Sequence, residues 1–446
     1  MKKKQKLKLS DHYTYGRLIR FALPSIFMML FTSTYTIVDG LFVSNLVGDN
    51  AFAALNLIWP VVGFLMAFGF MFGTGGSALV SKTLGEGKSE RANEYFTMIV
   101  VFELIFGLII SLLIAPFIDR IAVFLGAGPE LIDDAIAYSL PLVLIQPFVF
   151  AQVTFQSFMV VAEKPKLGLF VTLLAGISNM VLDWVFISLF NMGIAGAAWA
   201  TGINWLVGAI VPMIYFARPN SSLLRFRKFH WNFKALWKSC TNGLSEMVSN
   251  MSVSFVSMLY NFVLLIMLGN PGVIAFGIVQ YVSFLFSAVF FGYCMSVAPL
   301  ISYNFGAANR KELKSLFDKS LILTTITSIA MLVIAELSAP TLAMTFVGYS
   351  NELMSLTQHA IHLYSLSFLL VGFNIYFSAF FTALNNGAVS ALLSFLRTFA
   401  LQTVCVIGLP YLFGANGIWL ASFTAEIIAL CIGLFFIMKN RKRYGY

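Results

Sequence analysis

Six acidic residues fall inside long apolar runs of this chain: Asp39, Glu103, Asp183, Glu246, Glu336 and Glu426. An ionised side chain in hydrocarbon costs at least ~2.5–3.5 kcal/mol, so one retained there usually binds a cation, carries a proton or closes an ion pair. Two of the six come with polar company. Tyr35 lies four residues before Asp39 and Asn179 four before Asp183, so on helices each pair shares a face. Thr201, in the following run, adds a hydroxyl. Together these are expected to converge in one lobe as a cation-coupling set. Two close carboxylates can share one proton. The oxygens of Asp39, Asn179, Asp183 and Thr201 also suit a hard ion such as Na⁺. The plainer alternative, polar groups hydrogen-bonding helix to helix, fits Asn179 or Thr201 taken singly better than it fits the acid pair.

Glu246, in Asn242-Gly-Leu-Ser-Glu, is a lone acid early in its run, and Arg397 is the one basic residue deep inside a run. Arg397 needs an acidic partner, for which Glu246 and Glu426 are the candidates. Glu246, Arg397 and Gln156 are the expected lining of a substrate cleft. Pro24, upstream of Asp39, removes a backbone donor and is expected to kink the first helix. Glu103 has little polar company, Glu336 lies near the end of its run where it can reach water, and His359 and His362 are expected at the surface. No catalytic nucleophile, metal cluster or His/Asp constellation appears in the runs, which argues against a membrane-embedded enzyme. Cys240, Cys294, Cys405 and Cys431 are too scattered for a disulfide framework or a zinc pattern.

The runs themselves dictate the architecture. Of 446 residues, 59% are hydrophobic and 11% charged, with a mean hydropathy of +0.87; a soluble domain carries about 25% charged residues. A helix crosses a bilayer with about 20 apolar residues. Twelve such spans can be read: 17–46, 51–83, 91–117, 129–161, 166–190, 194–217, 235–268, 272–304, 313–338, 351–384, 388–413 and 417–438. Turn-formers such as Gly126-Ala-Gly-Pro and Gly269-Asn-Pro-Gly separate them. With both termini cytoplasmic, every basic residue except Arg120 and Arg397 falls at a cytoplasmic end. That is the positive-inside pattern, and it accounts for the +9 net charge through anionic lipid rather than nucleic acid. The basic start, Met1-Lys-Lys-Lys, lacks a cleavage site, so the first span is expected to stay in the cell membrane.

An internal repeat runs through the chain at one offset of 221 residues: Ala54 with Ala275, Ser81 with Ser302, Gly85 with Gly306, Ala162 with Ala383, Gly193 with Gly414 and Gly196 with Gly417. Each half holds six spans, an even number, so the halves are related by an axis along the membrane normal. The expected fold is all-α and integral to the membrane: an N-terminal lobe (1–217), a cytoplasmic linker (218–234) and a C-terminal lobe (235–446). The offset carries Asp39 to Tyr260, Asn179 to Ala400, Asp183 to Val404 and Glu246 to Ser25. The acids are therefore not part of the duplicated scaffold.

These residues resemble the MATE family of multidrug and toxic compound extrusion antiporters. The resemblance rests on Val38-Asp-Gly-Leu-Phe-Val, Gly85-Glu-Gly with its repeat Gly306-Ala-Ala-Asn-Arg, Gly193-Ile-Ala-Gly-Ala-Ala-Trp-Ala-Thr and Gly243-Leu-Ser-Glu, in order across the whole chain. It implies alternating-access export of organic, cationic compounds in exchange for H⁺ or Na⁺ by a monomer without a cofactor. It also implies a cation site on Asp39, Tyr35, Asn179, Asp183 and Thr201, with Glu246 matching an acid of the seventh helix. Spans ten and eleven carry no mid-depth acid, so no second cation site is expected in the C-terminal lobe. The rival within the superfamily, a lipid-linked precursor flippase, commonly has fourteen spans and a more basic cavity.

Overall fold

Lipid offers no partner to a backbone N–H or C=O, so apolar runs of this length close their own hydrogen bonds as helices. The computed structural model describes residues 7–446, and no strand occurs among them; Lys2, Lys3, Lys4 and Lys6 lie outside the described residues. The first half holds α1 (Tyr15–Leu46) and α2 (Asp49–Gly85). Next come α3 (Ser89–Phe124), α4 (Ile132–Leu144 and Gln146–Val161, bent by 60°), α5 (Pro165–Leu189) and α6 (Gly193–Ala217). The second half begins with α7 (233–268) and α8 (270–306), which run together as Phe233–Gly306 with a single non-helical residue, Gly269, at φ 65° and ψ −159°. It continues with α9 (Arg310–Val347), α10 (Asn351–Ser365 and Phe368–Ala383, bent by 44°), α11 (Gly387–Phe413) and α12 (Ala415–Tyr444). The twelve expected spans are present.

Two details differ from expectation. The turn read at Gly269-Asn-Pro-Gly shrinks to Gly269 alone. Glycine takes the positive φ without strain, and Pro271 falls in the first turn of α8, where its missing N–H would have had no partner. The spans at 129–161 and 351–384 are bent pairs rather than straight rods, and in α4 the break falls at Ile145, with Pro147 in the first turn of the segment that follows. Pro24 lies inside α1, which continues as one helix from Tyr15 to Leu46.

The halves meet through α1 and α2 against α7 and α8, on the side of the molecule that carries the linker. The backbones touch there. A Cβ on Gly75 would lie 2.0 Å from the Ser239 carbonyl oxygen, and one on Gly243 would lie 1.9 Å from that of Met71. Near the helix ends, a Cβ on Gly85 would lie 2.0 Å from the Tyr303 carbonyl oxygen and one on Gly306 2.1 Å from that of Lys82. Gly85 and Gly306 are equivalents under the 221-residue offset, so each helix end leans on its own counterpart. Ser302 Oγ donates to the Ala78 carbonyl at 2.6 Å, and Ser296 Oγ to Ser25 Oγ at 2.8 Å.

A strap ahead of α1 closes over the same side. Leu9 and Tyr13 are fully buried. The Leu9 amide donates to Glu163 Oε1 at 2.7 Å, in the turn between α4 and α5. The Tyr13 amide donates to Glu312 Oε1 at 2.9 Å, and His12 Nδ1 lies 2.6 Å from Glu312 Oε2 on α9. Lys319 donates to the Tyr13 carbonyl. Burial pushes the Glu163 carboxyl up from the usual range, ahead of the opposing bond from Leu9. The linker is held as well: Asn93 Oδ1 accepts from the Arg225 amide at 2.6 Å and Thr97 Oγ1 from the Arg227 amide at 3.0 Å.

Candidate cation site and its counterpart

The five sequence-selected residues converge inside the first half. Asp39 and Tyr35 come from α1, Asn179 and Asp183 from α5, and Thr201 from α6. All are buried; Asp183 is fully enclosed. Asp39 and Asp183 lie close enough for their charges to interact, with Asn179 beside Asp39. Asn179 Nδ2 donates to Thr201 Oγ1 at 3.5 Å. Local structure explains the convergence. A Cβ on Gly176 would lie 2.5 Å from the Phe31 ring and 2.9 Å from the Tyr35 ring, so its absence lets α5 lie flat against the Tyr35 face of α1. Immediately after Asp183, α5 loosens into a π-helical turn, Trp184–Leu189, a distortion that recurs at functional sites because it re-aims side chains.

The composition of the site is unusual for a protein interior. Among the described residues, both Asp183 oxygens, Asp39 Oδ1 and Asn179 Oδ1 lack a hydrogen-bond partner. Buried polar atoms are almost always paired, so unpartnered acceptors beside two neighbouring carboxylates mark this as a candidate site. Two further residues belong to it. Tyr138 on α4 lies within electrostatic reach of both Asp39 and Asp183. Asn204 on α6 neighbours Tyr35. Both are fully buried, and the Tyr138 hydroxyl is unpartnered. Asn204 lies three residues after Thr201 on one helix face, a spacing visible in the sequence; Tyr138 carried no local signal. No group of three His, Cys, Asp or Glu that could hold a metal occurs among the described residues. The acceptors are instead two carboxylates, an amide and hydroxyls, a set that fits a proton or a hard monovalent ion.

The second half is built differently. Arg397, in the π-helical turn Leu396–Ala400 of α11, donates from Nε to Glu426 Oε1 on α12 at 3.0 Å. Asn374 on α10 donates to Glu426 Oε2 at 2.6 Å. Of the two acids expected to compete for Arg397, Glu426 is its partner. Glu246 lies within electrostatic reach of Arg397, and its carboxylate makes no hydrogen bond among the described residues. Tyr260, the counterpart of Asp39, donates to Gln402 Oε1 at 3.3 Å.

The remaining acids resolve simply. Glu103 is fully buried and accepts from Thr154 Oγ1 at 2.6 Å, clasping α3 to α4. Glu336 does not simply face water: it pairs with His362 and accepts from Ser365. His359 Nε2 lies 2.7 Å from Asn416 Oδ1. Gln156 faces a narrow recess of about 10 Å³ bounded by α4, α5 and α6, within one half rather than between the two. All four cysteines are free.

The model of the MatE family matches residues 24–185 and again 247–407. The chain belongs to the MatE family. The two matched stretches begin 223 residues apart and end 222 apart (24 and 247; 185 and 407), an independent measure of the internal repeat. MatE relatives extend over the full length. The chain is 24% identical over 99% of its length to the multidrug export protein MepA of Staphylococcus haemolyticus (97% of that protein), and 25% identical over 99% to MepA of Staphylococcus aureus strain NCTC 8325 (98% of that protein). The fold matches an outward-facing multidrug resistance MATE family transporter of the MOP superfamily, with a TM-score of 0.92 at 21% identity, covering 99% of each chain. A MATE structure in complex with MaL6 also gives a TM-score of 0.92, at 21% identity over 98% of each chain. This is a multi-pass membrane transporter of small molecules, not an enzyme, and the two-lobe, twelve-helix fold is that of its family.

Proposed function

We propose that this protein exports organic cations across the cell membrane in exchange for H⁺ or Na⁺, by alternating access between two lobes, 1–217 and 235–446, joined by a cytoplasmic linker, 218–234. The names of its full-length MepA relatives support multidrug export. The observation that carries the coupling mechanism is the acid pair Asp39 and Asp183. It is buried in one lobe, has unpartnered oxygens and has no acidic counterpart in the other lobe. Asp39 and Asp183, with Asn179, Thr201, Tyr35, Tyr138 and Asn204 around them, hold the coupling cation as a substrate. Cation arrival cancels a buried negative charge and lets α1 and α5 repack, while its departure restores the repulsion. Coupling follows when cation and drug prefer opposite states.

Both termini and the linker face the cytoplasm in this reading, by the placement of basic residues. The lobes touch at that end, which in this reading closes the cytoplasmic side. Pro24 supplies the flexible point of α1, because its ring frees the Arg20 carbonyl. Glu246 is the open carboxylate of the substrate cleft, and Arg397, engaged by Glu426, supports that wall. The flippase reading finds no support in the half-buried Arg397, whose charge is already matched by Glu426. The protein works as a monomer in contact with anionic lipid.

The test is drug export by the protein in proteoliposomes under an imposed H⁺ gradient or an imposed Na⁺ gradient, one at a time. Export driven by one of the two, and lost in Asp39→Asn protein that still inserts and folds, is the expected result. Gradient-driven export retained by Asp39→Asn overturns the coupling site.

A further inference from the structure

A recess of about 290 Å³ opens at the linker end where the halves meet, lined by Lys82, Lys238, Phe305, Asn385, Arg443 and Tyr444. Its cations come from three helices and both halves: Lys82 from the end of α2, Lys238 from the start of α7 and Arg443 from the end of α12. Lys82 Nζ lies 5.3 Å from the Phe305 ring, and the Arg443 guanidinium lies 5.3 Å from the Tyr444 ring. These aromatic faces hold the two charges in place.

Acidic compensation is thin. Glu86 is the carboxylate at the site, 3.8 Å from Lys82 and shared with Lys88 at 2.9 Å. Lys238 is within electrostatic reach of Lys82, Glu86 and also Lys234, and neither Lys238 nor Arg443 forms an ion pair among the described residues. Like charges brought together in a partly enclosed space repel, yet the backbone contacts around them force the approach. Gly306 presses on the Lys82 carbonyl, and the Asn385 amide donates to the Ala78 carbonyl at 3.3 Å.

We infer that this recess binds a phosphate-bearing anion, and that the anion favours the state in which the two halves meet at the linker end. Two ammonium groups and a guanidinium match the oxygens of a phosphate, and the volume admits a phosphate with a short ester arm. The cations converge only while α2 lies on α7 and α8. A ligand that needs all three therefore prefers that state, and shifts the equilibrium by its differential affinity alone. The phosphate can be a lipid headgroup or free in solution.

The full-length purified protein is tested by thermal unfolding, since a ligand that binds only the folded state raises the midpoint. One arm titrates inorganic phosphate against sodium chloride of equal ionic strength. The other titrates phosphatidylglycerol against phosphatidylcholine in mixed micelles. A rise in the phosphate arm identifies a free anion site, and a rise with phosphatidylglycerol alone identifies a headgroup site. In Lys82→Gln/Lys238→Gln the half-saturating concentration should increase at least about tenfold, as expected for losing two charge-assisted contacts. Arg227→Gln/Lys228→Gln, with the same charge loss in the linker, should respond as the unaltered protein does; if the first pair fails to fold, Arg443→Gln carries the same expectation. Gly243→Ala removes no cation but holds the halves apart, and should weaken the response too, with Gly75→Ala as its substitute. No rise in either arm, or equal responses from the recess and linker variants, overturns the site. A full response in the folded glycine variants overturns the link to closure.

Discussion

The two lobes share one scaffold and use its interior in opposite ways. In the first, Asp39 and Asp183 stand together with no basic partner and with bare oxygens. In the second, the buried acid Glu426 is closed by Arg397 and Asn374. The equivalences under the repeat show how this came about. Arg397 stands where the first lobe has Gly176, the residue that lets Tyr35 lie against α5. Glu426 stands where the first lobe has Trp205, and Asn374 where it has Val153. Ser422 is the counterpart of Thr201, so the hydroxyl persists while the acids do not. One lobe keeps its negative charge available and the other neutralises it internally. A scaffold duplicated in helices need not be duplicated in chemistry, because a handful of side chains on fixed helix faces decides whether a lobe interior is a site or a strut.

The largest expected difference is functional. Asp39→Asn and Asp183→Asn should each reduce gradient-driven export to the level of empty vesicles while leaving the melting profile of the protein near or above that of the unaltered chain, since each removes an uncompensated buried charge. The double variant should be no worse than either single one, as members of one unit are non-additive. Additive partial losses in vesicle transport assays would divide the pair into separate sites.

The mirror experiment in the second lobe should show the reverse. Arg397→Met leaves Glu426 buried and unpaired, and breaking such a pair costs about 3–5 kcal/mol. The expected result is a large drop in thermal stability of the purified protein, most of it recovered in Arg397→Met/Glu426→Met. If Arg397→Met melts normally and loses export instead, Arg397 belongs to the transport machinery rather than the frame.

Glu246→Gln sharpens the comparison further. A charge-assisted contact is worth about 1.5–3 kcal/mol, so the apparent affinity for cationic drugs should fall roughly tenfold or more. Cation binding at Asp39 should be unchanged. Direct binding measurements with a cationic and a neutral drug check it, and equal losses for both would remove the electrostatic role.

The smallest effect is at Tyr260, where the second lobe has a phenol in place of the proposed coupling acid. Tyr260→Phe loses the bond to Gln402, worth about 0.5–1.5 kcal/mol, and export should continue at nearly the original rate. Loss of coupled export in that variant would place part of the cation path in the second lobe.

Much of this was legible in the chain itself. Span number and helical state follow from hydropathy, because a bilayer imposes one solution on an apolar run of that length. The repeat is an arithmetic property of residues such as Gly85 and Gly306. Tyr35 with Asp39, and Asn179 with Asp183, were readable as face-sharing pairs because four residues on a helix return to the same side. Tertiary structure decided the rest, since it depends on which faces of distant helices meet. Tyr138 joined the proposed cation site through the placement of α4, with no periodic signal to mark it. Glu426, not Glu246, became the partner of Arg397, though both were acids in apolar runs. Glu312 proved to be an anchor for the strap before α1, across about 300 residues of chain, and Lys82, Lys238 and Arg443 share a recess only because Gly75, Gly85, Gly243 and Gly306 let two backbones touch. Hydropathy and helical period are local properties that a sequence states directly. The choice of partner is settled by packing, where the difference between two acids is a matter of a few ångströms.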